Sequence, residues 1–140
     1  MKVIVQGREP FVVVACGFIG WALCAATMGI AMRLTALPRA LVAHAVAAPL
    51  IFVVVSLFYF RRRSPWSPLS TAVGFLVTVA WLDFFVVALA IQRSLAMFAS
   101  PLGVWLPFLL IFVATWLTGI TCRKGGLNIP PRQAASRSYR

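Results

Sequence analysis

Four long runs of apolar residues set the pattern of this chain: residues 11–32, 40–60, 69–91 and 102–121. Basic residues punctuate them. Lys2 and Arg8 precede the first run and Arg33 follows it, Arg61-Arg62-Arg63 end the second, Gln92-Arg93 end the third, and Cys122-Arg123-Lys124-Gly125-Gly126 end the fourth. Each run is near the roughly 20 residues that an α-helix needs to cross about 30 Å of hydrocarbon at ~1.5 Å per residue. In hydrocarbon the backbone must satisfy its own hydrogen bonds, and these runs lack the short alternation of barrel strands, so helices are predicted. The apolar core of a signal peptide spans only about 7–15 residues. The first run is longer than that and three more follow, so it reads as an uncleaved span.

The links are short. Residues 34–39 contain Pro38, which suits a helix start, and residues 61–68 contain Pro65 and Pro68, which break the helix between the second and third spans. Residues 92–101 form the longest link, with Leu95, Met97 and Phe98 expected to extend a helix in the membrane interface. Short links make successive spans pack antiparallel, the second beside the third. The predicted fold is all-α, an integral membrane four-helix up-down antiparallel bundle over residues 1–124, followed by a basic disordered cytoplasmic tail over residues 125–140. That tail combines Gly-Gly, Pro130-Pro131, serines and three arginines, too little apolar content to fold alone.

Composition agrees. Of 140 residues 62% are hydrophobic and 11% charged, with a mean hydropathy of +0.97, whereas soluble domains are about half apolar and about a quarter charged. The formal net charge of +11 and pI near 11.6 would suggest nucleic acid in a soluble protein. Here the basic residues lie between and beyond the apolar runs, where the positive-inside rule places them, and nucleic acid is not the expected partner. Lys2, Arg8, Arg61, Arg62, Arg63, Arg123, Lys124, Arg132, Arg137 and Arg140 fall on one side, and Arg33, Arg39 and Arg93 on the other. That bias puts both termini in the cytoplasm of a bacterial inner membrane, a source that the Ala-, Val- and Arg-rich usage also suits. Arg61, Arg62, Arg63, Arg123 and Lys124 are the expected contacts for anionic lipid head groups.

The chemistry within the runs is sparse. Asp83 is the acid inside a span, about 12 Å below the outer end of the third helix. A carboxylate at that depth must be neutral, paired or beside water. Val79, Ala80, Val87 and Ala90 share its face, while Trp81 and Phe85 point the other way, so Asp83 is expected to face the bundle. His44, the one histidine, sits at similar depth in the second span among Ala40, Ala47 and Ala48. His44 and Asp83 are therefore the candidate intramembrane polar pair, as an interhelical clamp or a proton or cation path; Arg33 or Arg39 is the alternative partner for the acid.

Cys16, Gly20, Cys24 and Thr27 recur at helical spacing on the first span and read as a small-residue packing seam. The three cysteines show no metal-ligand spacing and no disulfide framework, and no cofactor is expected. In the fourth span Trp105, Leu109, Phe112 and Trp116 read as lipid-facing, and Ala114, Thr118 and Thr121 as bundle-facing. Pro107 falls early in that helix. There is no nucleophile–base pair, and Ser94 and Ser100 read as interfacial hydroxyls, so no enzymatic role is expected.

Leu82-Asp83, Gly103-Val104-Trp105-Leu106-Pro107-Phe108 and Trp116-Leu117-Thr118-Gly119 resemble stretches of small bacterial four-span membrane proteins of uncharacterised function. The likeness covers the third and fourth spans and implies a fold but no activity. In size and span number the chain is also similar to small multidrug-resistance transporters, which rely on an acid in the first span. The first run here has none, so no site is carried across. The functional expectation is a small multi-pass membrane protein that acts through helix packing, with itself as a homo-oligomer or with other membrane subunits. The alternative is a small oligomeric, ion-coupled transporter built on His44 and Asp83.

Overall fold

The computed structural model describes residues 8–62, 66–91, 93, 99 and 101–126. Lys2, Arg63, the interfacial Leu95, Met97 and Phe98, and most of the expected tail, residues 127–140, lie outside the described residues. Four helices cover the four apolar runs: α1 (Glu9–Leu34), α2 (Leu37–Arg61), α3 (Pro68–Leu82) and α4 (Leu106–Gly126). A π-helical segment, Asp83–Ile91, continues α3, and another, Pro101–Trp105, leads into α4. With α3 taken together with its π-helical continuation, all four are long and apolar enough to cross a membrane.

Local chemistry starts and ends them. Pro10, Pro38 and Pro68 sit in the first turns of α1, α2 and α3, where a missing amide costs nothing. Ser67 caps α3, its hydroxyl accepting from the Ser70 amide at 3.0 Å. Arg33, Arg61, Arg123 and Lys124 occupy last turns, where a cation complements the helix dipole. Pro107 lies where the π-helical turn gives way to α4, a place where its lack of an amide is tolerated. Pro49 lies inside α2 and removes the amide that would bond Ala45.

The extensive helix contacts join α1 to α2, α2 to α4, α4 to α3, and α3 to α1. α2 and α3 therefore face each other across the bundle rather than side by side as their short link suggests. The reason is visible at Gly119: a Cβ there would lie 2.6 Å from Pro68 and 2.7 Å from Phe60, so α4 fits between the end of α2 and the start of α3. Aromatic rings fill the diagonal. Phe75 of α3 meets Phe52 and Tyr59 of α2 edge-on, each at a centroid distance of 5.8 Å, an arrangement that the ring quadrupoles favour.

The buried face of α1 is Val13, Gly17, Gly20 and Cys24. Two members of the expected seam, Gly20 and Cys24, lie on it, while Cys16 and Thr27 are half-buried at its edges. A Cβ on Gly20 would come 2.6 Å from the fully buried Phe52 ring. On α4 and the π-helical turn before it the buried face runs through Val104, Pro107, Ile111, Thr115 and Thr118. Thr121, expected to face inward, is exposed, because the inward face is set by Ile111 and Thr115 one helical step around.

Close approach at glycine is the basis of this packing. Gly119→Ala should lower the unfolding free energy in detergent by about 1–3 kcal/mol, the usual cost of overpacking against a neighbour that cannot retreat. Gly29→Ala, where nothing lies within 4 Å of the added carbon, should leave it unchanged or slightly raised. Denaturant titration followed by circular dichroism reads both.

Candidate functional site

The two expected polar partners, His44 and Asp83, each lie beside α1 and do not meet between α2 and α3. Asp83 sits where α3 becomes π-helical, half-buried, and accepts a hydrogen bond of 2.8 Å from the indole N–H of Trp21 on α1. The neighbouring Trp81 and Phe85 are exposed. Among the described residues Asp83 has no ion pair, with Arg33, Arg39 or any other cation, and no bond to His44.

Register explains this partner. Gly74 lies against Val13 and Thr78 against Gly17, and one turn further Asp83 meets Trp21. Four residues along α1 are there matched by five along α3. The long Trp21 side chain reaches across that one-residue offset, and its indole N–H finds the carboxylate.

His44 lies on the other side of α1. It is half-buried on α2, within hydrogen-bonding reach of the Cys24 backbone, and its Nδ1 is buried with no hydrogen-bond partner. The Cys24 thiol in turn lies within electrostatic reach of Asp83. The expected pair is thus split, with α1 and its Cys24 standing between the two groups. Two packed helix pairs, α1–α2 and α1–α3, replace the single α2–α3 pair on which direct contact depended.

Trp21 escaped the sequence reading. A signal for it exists: an indole N–H in the middle of an apolar span has to find an acceptor, and Asp83 is the acid within the runs.

The hydroxyls divide into two kinds. Thr27, Thr35, Thr71, Thr78, Thr118 and Thr121 each donate to the carbonyl four residues back, at 2.7–3.1 Å. Ser56 on α2 and Thr115 on α4 are fully buried, and neither hydroxyl has a partner. Phe60, one turn past Ser56, lies against Gly119, one turn past Thr115, so the two hydroxyls share a level of the α2–α4 contact.

At the basic end Arg61, Arg62, Arg123 and Lys124 are exposed; Arg123 also donates to the Trp66 carbonyl. Arg63 is outside the described residues. Glu9 accepts from the Tyr59 hydroxyl at 3.3 Å. Cys16, Cys24 and Cys122 are unbridged. No group of three or more His, Cys, Asp or Glu positioned for a metal occurs among the described residues.

Among the described residues the arrangement holds one carboxylate in a span by a directed donor. A double-mutant cycle between Trp21→Phe and Asp83→Leu should give a coupling of about 0.6–1.7 kcal/mol, the range for hydrogen bonds between membrane helices. The cycle between His44→Ala and Asp83→Ala should give none beyond error. Ser56→Ala and Thr115→Val should each be neutral or stabilising by about 1 kcal/mol, because they remove a buried hydroxyl without a partner. The chain matches no protein-family model, no curated protein and no solved structure.

Proposed function

We propose that this chain is a four-span integral protein of a bacterial inner membrane, with both termini cytoplasmic, which works through helix packing with a second copy or another membrane subunit. One observation carries the membrane reading: large apolar side chains are turned outward on all four helices. Phe11 is 76% exposed, Leu50 63%, Trp81 60% and Leu109 59%, while Thr71, Thr115 and Ser56 are fully buried. Exposed apolar surface on this scale suits lipid and not water.

Contacts along the helices favour the up-down antiparallel arrangement. The end of α2 meets the start of α1 through Tyr59 and Glu9, and the end of α4 meets the start of α3 through Arg123 and Trp66. That brings Arg8, Arg61, Arg62, Arg123 and Lys124 to one end, the cytoplasmic one by the positive-inside rule, where anionic head groups are their partners.

Packing with a partner is favoured by a second small-residue row on α1. Ala22 and Ala26, and Ala25 and Gly29, are spaced one turn apart; Ala25, Ala26 and Gly29 are exposed, and nothing lies within 4 Å of a Cβ placed on Gly29. Helices without bulk at such a row approach closely in lipid. The second reading, an ion-coupled oligomer, is favoured by Asp83, an ionisable group within a span at the start of a π-helical segment, a type of irregularity frequent at functional sites.

Green fluorescent protein fused after Lys124 should fluoresce in bacterial cells, and alkaline phosphatase fused after Arg93 should be active; the opposite pattern overturns the orientation. Gly29→Leu should abolish self-association measured by cross-linking in native membranes, and persistence of the cross-link removes this row from the interface. Proteoliposomes of the wild-type chain should show no proton flux that Asp83→Asn abolishes. Such a flux, lost while the helical content stays intact, transfers the assignment to the second reading.

A further inference from the structure

A groove of about 350 Å³ lies between α1 and α2 on the outside of the bundle, within the range of roughly 300–1,000 Å³ found for small-molecule clefts. Its walls are apolar, with Phe11, Ala15 and Ile19 from α1 and Val55 and Phe58 from α2. Ala15 opens the slot, since the larger side chains on either side of it form the rims. Among the described residues one cation, Arg62, lines the groove, at one end. The arginine follows the last residue of α2, yet it lines the slot together with Cys16, two turns into α1.

Among the described residues the charges around this end are of one sign with one exception. Arg8, Arg61, Arg123 and Lys124 are exposed there. The exception, Glu9, is held by the hydroxyl of Tyr59, a residue 1% exposed, and so is drawn toward the bundle. A slot of hydrocarbon character closed at one end by a guanidinium complements an amphiphile with one chain and one anionic oxygen cluster. Guanidinium forks fit phosphate oxygens in bidentate geometry.

We propose that the α1–α2 groove binds one anionic phospholipid, with its phosphate on Arg62 and an acyl chain laid past Phe58 and Ala15. The assignment rests on the membrane reading and deepens it, from a diffuse basic surface to a defined site. The neighbouring arginines attract anionic lipid in general; Arg62 is the one joined to an apolar slot.

The test uses the full chain in nanodiscs of equimolar phosphatidylglycerol and phosphatidylcholine, released gently and weighed by native mass spectrometry. One phosphatidylglycerol should stay bound, favoured over phosphatidylcholine by about fivefold, the factor that one basic residue supplies near an anionic surface. Arg62→Gln should return the retained lipid to the bulk ratio. Ala15→Trp, which fills the slot, should remove retained lipid of either head group. Arg39→Gln, in the first turn of α2 at the far end of that helix from Arg62, should leave the preference intact. Retention in the bulk ratio by the wild type, or an undiminished preference in Arg62→Gln or Ala15→Trp, overturns the site. Recovery of the wild-type chain as a dispersed protein without lipid defeats the membrane reading itself, a separate result.

Discussion

Apolar surface gives no reason for two helices to meet when the solvent is itself hydrocarbon, so this bundle depends on how closely its backbones fit. Glycine supplies that fit at the points where elements cross. Gly20 admits the ring of Phe52, Gly17 takes the side chain of Thr78, Gly74 takes Val13, and Gly119 lies against both Phe60 and Pro68. The last of these fixes the order of helices around the bundle. With α4 drawn against the end of α2 and the start of α3, the second and third helices are left on a diagonal, and three aromatic rings fill the space between them.

From that order follows the placement of the polar groups. α1 is flanked by α2 on one side and α3 on the other, so His44 and Asp83 approach it from opposite directions. The carboxylate reaches an indole N–H, and the imidazole comes to rest against the Cys24 backbone. In low dielectric an acid with one directed donor is held in place but not neutralised by a counter-charge. This is the physical ground on which the packing reading and the ion-coupled reading part.

The extent of the four helices was legible in the sequence because the signal is simple: length, apolarity and basic punctuation all fall in the same places. The side of α3 that carries Asp83 was legible too, from the bulky Trp81 and Phe85 that flank it on the other face and are exposed. The partner of Asp83 was not. Helix order depends on contacts such as Gly119 with Pro68, which no periodicity within one run reveals. The π-helical segment that begins at Asp83 was not legible either, because residues 83–91 carry no proline or glycine to mark it. On α4 Thr118 is buried as its hydroxyl suggested, but Thr121 misled, because it satisfies itself on its own helix and stays exposed.

That habit of the threonines has a wider consequence. Thr78 turns its oxygen onto the Gly74 carbonyl and offers its methyl carbon to Gly17. Thr27, Thr35, Thr118 and Thr121 spend their hydroxyls in the same manner. To whatever touches them from outside, such residues behave as valines. A hydropathy average assigns each the polarity of a bare alcohol, so the chain is oilier to its surroundings than its composition declares.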